Sequence, residues 1–84
     1  MIMYFYTVFD RVLEESAPVF EAKNDGVALR QYNHLMASNP DVSEGDFRLL
    51  KVGSIDHETN VVKSVEIEEV IPKMNMEIEG VENA

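Results

Sequence analysis

The chain contains no cysteine, so neither a disulfide framework nor thiolate metal ligation can hold it together, and thiol chemistry is excluded. An intracellular setting fits that absence. Bases are scarce: 7 Lys and Arg stand against 16 Asp and Glu, a net charge of -9 over 84 residues. This balance opposes nonspecific attraction to nucleic acid or anionic lipid, because both depend on Lys and Arg displacing counterions. Any nucleic-acid contact is then local, weak or assembled by oligomerisation. No apolar run approaches the roughly 18 residues of a membrane span. The opening MIMYFYTVFD lacks the basic flank and small-residue cleavage pattern of a signal segment, and reads as a strand of a soluble protein. Also missing are a glycine-rich phosphate loop, a His-x-x-x-His pair and a nucleophile elbow, so the expectation is no enzyme and no cofactor.

What is present suffices for one small core, burying roughly 60% of the surface of the unfolded chain. Residues 2–9, IMYFYTVF, are aromatic and β-branched and predict a strand. Alternation places Met3, Phe5, Thr7 and Phe9 on one side and Ile2, Tyr4, Tyr6 and Val8 on the other. Both sides are apolar, as expected of a central strand covered on both faces. Residues 10–17 then form a turn, and Pro18, which cannot donate in mid-sheet, opens an edge strand PVFEA. Asn24 suits an N-cap and Asp25 the positive end of a helix dipole. From Asp25 to about Ala37, Ala28, Tyr32, Leu35 and Met36 mark an amphipathic helix widened by Leu29, with Arg30, Asn33 and His34 on its polar face. The loop chemistry of SNPDVSEGD stops it.

FRLLKVGSI and VVKSVEIEEVI predict a hairpin, with Asp56 and Asn60 suited to its tight reversal. In the last strand Val65, Ile67 and Ile71 are expected inward and Ser64, Glu66 and Glu68 outward. Pro72 ends it. The expected architecture is α+β: a ββαββ chain with a four-stranded antiparallel sheet in the order 2-1-3-4 and one helix on one face. Residues 1–72 form the domain and 73–84 an acidic tail, with weak alternation at Met74, Met76 and Ile78. A helix of about 13 residues spans roughly 20 Å and covers one sheet face only. The other face is left to the tail or a second subunit, so a homodimer or higher oligomer is expected.

The strand end YTVFDR, the segment EESAPVFEAKND, the helix start GVALRQY and the hairpin FRLLKVGSIDHETN resemble the small nonstructural protein of gokushoviruses, tailless single-stranded DNA phages of the Microviridae. The similarity runs from about residue 3 to residue 71 and is strongest over Phe9 to Arg30 and in GSIDHET. The resemblance implies a nonstructural accessory role in making or packaging single-stranded viral DNA, in the host bacterial cytoplasm and outside the mature virion. Residues beyond Pro72 fall outside it.

For single-stranded DNA the required parts are a positive groove and aromatic faces on which bases stack. The candidates are Arg11, Lys23, Arg30, Arg48 and Lys51, with Tyr4 and Tyr6 as stacking groups. Against each stands a plainer reading: surface bases paired with abundant acids, and tyrosines in a core or subunit interface. Arg11 in particular is expected in a salt-bridged turn. Arg48 and Lys51 fall on different sheet faces by alternation. Asp56, His57 and Glu58 offer metal-type ligands, but neighbours in a turn project apart, so a structural turn is expected. His34, Glu66, Glu68 and Glu69 read as solvated, and Glu14 and Glu15 lack the desolvated pocket that acid–base catalysis needs. An alternative to DNA contact is an acidic protein-interaction module that engages a basic viral replication or capsid protein, or a host factor.

Overall fold

The computed structural model describes residues 1–39 and 44–71. Five strands, one helix and a single 3-10 turn come in the order β1 (Ile2–Asp10), β2 (Glu15–Ser16), β3 (Phe20–Ala22), α1 (Asp25–Ala37), the 3-10 turn (Glu44–Asp46), β4 (Phe47–Asp56) and β5 (Val61–Glu69). β1 is central, as its composition predicts. It pairs antiparallel with β4 along its whole length, and with β2 and β3 on the other side. β5 continues the sheet beyond β4, antiparallel again. The α+β class and the antiparallel sheet with one helix are as expected, and the strand order differs in one detail: the outer edge is two short strands instead of one.

That detail has a local cause. Asp10 Oδ1 accepts the amides of Val12 and Leu13, and Glu14 takes the left-handed conformation at φ 59°, so the chain reverses over residues 11–14 and not 10–17. Pairing resumes at Glu15 and Ser16, then breaks at residues 17–19, where Thr7 Oγ1 donates to the Ala17 carbonyl at 2.6 Å. Pro18 therefore sits in the break and does not open the strand, because a residue without an N–H cannot hold the ladder. Phe20 starts β3.

The helix occupies the predicted span. Asn24 caps it, its side chain accepting from Val27 N at 3.0 Å, and Ser38 closes its end on the His34 carbonyl. Ala28 and Met36 are buried, whereas Leu35, expected on the same stripe, is 43% exposed because it lies at the helix margin over open grooves. The core sits between helix and sheet: Tyr6, Val8, Ala22, Ala28, Leu49 and Val70, with Tyr4, Phe20, Val27, Leu29, Tyr32 and Phe47 packed around them.

β5 departs from the expected phase. Lys51 pairs with Glu68 and Gly53 with Ser64, so Val52 alone faces the three residues 65–67. The slip moves the inward position to Val70, 6% exposed, and leaves Ile67 and Ile71 at 66% and 62% exposure. Strict alternation fails because Val52 is itself a single extra residue against β1, where Phe5 pairs with Gly53 and Tyr6 with Lys51, so Lys51 with Glu68 and Gly53 with Ser64 face opposite sides. The hairpin turn itself is as predicted, with Thr59 and Asn60 amides bonded to the Asp56 carbonyl and Asn60 left-handed at φ 64°. Among the described residues the helix side of β1 carries the second layer, as expected of a single helix that covers one face. The predicted acidic tail, 73–84, and Pro72 lie outside the described residues.

Candidate functional site

Three of the predicted contact residues meet at one place. Register puts Tyr6 of β1, Lys51 of β4 and Glu68 of β5 in one row across the sheet, beneath the first turn of α1, and Tyr4 lies beside them. Tyr6 is fully buried and its hydroxyl donates to Asp25 Oδ1 at 2.7 Å. Lys51 Nζ lies 3.1 Å from the same oxygen and 3.4 Å from Glu68 Oε1, and 5.0 Å from the centre of the Tyr4 ring. Tyr6 also stacks on Phe20, with ring centres 5.9 Å apart.

The electrostatics reflect this packing. Burial, then the bond to the Asp25 carboxylate, pushes the Tyr6 phenol well above its ordinary range. Burial alone would lower the Lys51 ammonium, but Asp25 and Glu68 outweigh it and hold the group above its usual value. Tyr6 is thus kept protonated and Lys51 charged, the reverse of a nucleophile or general base poised near neutrality. The cluster clamps the helix start to the sheet. Tyr6 presents no face to a nucleotide base, and the Tyr4 ring already carries a cation.

The other candidates are dispersed. Arg48 Nη1 bonds Glu69 at 2.9 Å on the sheet face opposite Lys51, as alternation predicts. Arg11 is not in the salt-bridged turn expected of it: its Nη1 donates to the Gly45 carbonyl at 3.2 Å and its amide to the Asp46 carbonyl. A carbonyl pair serves there because the reversal is already closed by Asp10, leaving Arg11 turned toward the 3-10 segment. Lys23 and Arg30 are exposed and have no ionic partner among the described residues.

Arg30 stands with His34 at the rim of a groove of about 590 Å³ whose apolar lining includes Val8, Phe20 and Leu35. A second groove, of about 330 Å³, lies on the far side of Leu35 against Leu13 and Phe47. Asp56, His57 and Glu58 act as a turn: Asp56 accepts the Glu58 amide, the terminal ammonium of Met1 lies near Asp56 and Glu58, and His57 Nε2 bonds Glu21 at 2.7 Å. Among the described residues no group of three metal-type ligands converges, and no helix is long and apolar enough to cross a membrane.

Two members of the central cluster escape a reading of the sequence. Asp25 reads there only as a complement to the helix dipole, and Glu68 only as a solvated acid. Their roles depend on register, which the slip at residues 65–67 conceals.

A family model described as Phage ORF5 protein matches residues 3–76. The chain belongs to this bacteriophage ORF5 protein family. No curated protein and no solved structure matches it. For a member of the ORF5 family, then, the arrangement of its own charges is the guide to action. Five of its seven candidate contact residues are engaged within the protein, and the other two, Lys23 and Arg30, stand at separate places on the helix and its approach.

Proposed function

We propose that this ORF5 protein is a nonstructural accessory factor of a gokushovirus-like phage. It acts during synthesis or packaging of the single-stranded genome by engaging a basic viral replication or capsid protein, or a host factor, through its acidic surface. It works in the host cytoplasm, without catalysis and without a cofactor. The observation supporting this reading over direct DNA contact is that the bases form no positive patch. Lys51 is held by two carboxylates, Arg48 by one and Arg11 by a carbonyl, Lys23 and Arg30 stand apart, and the chain keeps a net charge of -9. A surface of that sign speeds encounter with a basic partner and slows encounter with phosphate.

The test is a fluorescence titration with single-stranded DNA at two salt concentrations. Silence at low salt supports the protein-interaction reading, and salt-sensitive binding overturns it. A second reading has one observation in its favour: Arg30 and His34 share the rim of an apolar groove. If DNA binds there, Arg30→Ala weakens it and lowers the salt dependence, whereas Arg48→Ala leaves it unchanged.

A further inference from the structure

The face of the sheet away from the helix has its own composition. Register aligns Met3 with Ile55 and Val62, Phe5 with Gly53 and Ser64, Thr7 with Leu50 and Glu69, and Phe9 with Arg48. Met3, Phe5, Phe9, Leu50 and Ile55 are half-buried, and Val62 is 60% exposed. None of the six belongs to the core beneath the helix. A contiguous apolar surface of this extent on a soluble domain marks an interaction site.

Charge selects the occupant. Among the described residues in ladder register on this face, the acids are Glu21 and Glu69. Glu69 is neutralised by Arg48 at 2.9 Å, and Glu21, on the short edge strand β3, is hydrogen-bonded to His57 at 2.7 Å. The ladder positions at the centre of the face, on β1 and β4, therefore carry no acid. A basic partner gains nothing electrostatically here, and a nucleic acid finds no free cation. A second, identical face fits: two chains of charge -9 can approach through a face whose central ladder positions are apolar and whose Glu69 is paired with Arg48. We propose that this protein forms a two-fold dimer in which the open sheet faces, centred on Phe5, Leu50 and Ile55, pack as a β-sandwich.

Size permits it. Three strands of nine or ten residues run for roughly 30 Å and span about 14 Å, and the short edge strands add about 80 Å² per face, so two faces give on the order of 1,000 Å², the size of a specific interface. Aligned sheets pack about 10 Å apart at about 30°, the distance at which Phe and Leu side chains interdigitate. In the dimer β1 becomes covered on both sides, which accounts for the apolar character of both its faces.

Sedimentation equilibrium of the full chain over the micromolar range tests the assignment. Twice the chain mass is expected, and dissociation should shift to lower concentration, by about tenfold, as salt rises from about 0.05 to 0.5 M, because screening relieves the repulsion of like-charged chains. Leu50→Glu and Val62→Glu should each weaken the dimer by about tenfold or more, by placing an unpaired charge in the interface. Val62 is so exposed that its variant keeps the monomer fold, read by circular dichroism. Val12→Glu, at the tip of the first turn, should leave the mass unchanged. A monomer at tens of micromolar overturns the proposal. So does a dimer that survives both Leu50→Glu and Val62→Glu, or one that Val12→Glu dissolves.

Discussion

The Tyr6 hydroxyl donates to Asp25 Oδ1 at 2.7 Å and so ties the middle of the central strand to the first turn of the only described helix. Because Lys51 bonds the same oxygen, one carboxylate holds two strands and the helix start together. Tyr6→Phe keeps the ring against Phe20 and removes only the hydroxyl. A bond to a charged acceptor contributes about 1.5–3 kcal/mol, and Asp25, partly exposed and still held by Lys51, brings the expected loss to about 1–2 kcal/mol. Urea denaturation of the two proteins reads this directly. A loss below the scatter of the method would mean that the helix is anchored by packing alone.

Alkaline pH attacks the same cluster. Both Tyr6 and Lys51 have their pKa raised on folding, Tyr6 through burial and the Asp25 bond, Lys51 despite burial, through Asp25 and Glu68. A group raised in the folded state contributes stability that is complete below its unfolded value and is lost as pH climbs through the folded one. Stability should therefore be level up to about pH 10, where an unfolded tyrosine begins to ionise, and fall above it. Tyr6→Phe should have a shallower fall than the parent chain in the same denaturation series. Equal slopes would show that Tyr6 does not carry the effect.

Glu14 is left-handed at φ 59° with an exposed side chain, and its amide bonds the Asp10 carbonyl. That conformation costs a non-glycine L-residue about 1 kcal/mol or more, and glycine adopts it freely at the expense of some unfolded-state entropy. Glu14→Gly should therefore stabilise the protein by about 0.5 kcal/mol, visible as a rise in the urea midpoint at unchanged slope. A fall in midpoint would mean that the Glu14 carboxylate has a role in the turn.

These positions also show where sequence reasoning carries and where it stops. The Asn24 cap, the helix span and the Asp56–Asn60 reversal are legible because each is decided by groups within a few residues of one another. The central place of β1 is legible because its apolar content exceeds what an edge needs. Ile67 and Ile71 are misplaced by alternation because a slip at Val52 reverses facing without leaving a mark in the composition of VVKSVEIEEVI. The candidate bases can be named from the sequence, but not the partners that hold three of them. Lys51 meets Asp25 only after a helix crosses over the sheet, and Arg11 meets Gly45 only after the chain returns to β4. Long-range pairing of this kind has no local signature.

Gly53 lies where that slip occurs, and it is there for space. A Cβ at this position would stand 3.0 Å from the Lys63 carbonyl oxygen and 3.3 Å from Phe5 Cδ2. The nearer obstacle is backbone of β5, which can move only by loosening the β4–β5 ladder. Gly53→Ala should cost about 1–3 kcal/mol, in the range of overpacked cores. The double variant with Phe5→Ala separates the two obstacles. If the carbonyl decides, truncating Phe5 does not relieve the clash, and the two losses add within about 0.5 kcal/mol. A coupling well above that, with Gly53→Ala nearly harmless in the Phe5→Ala background, would place the constraint in the aromatic side chain instead. Residue 53 would then be small to seat Phe5 on the open sheet face, and not to keep β4 and β5 in register.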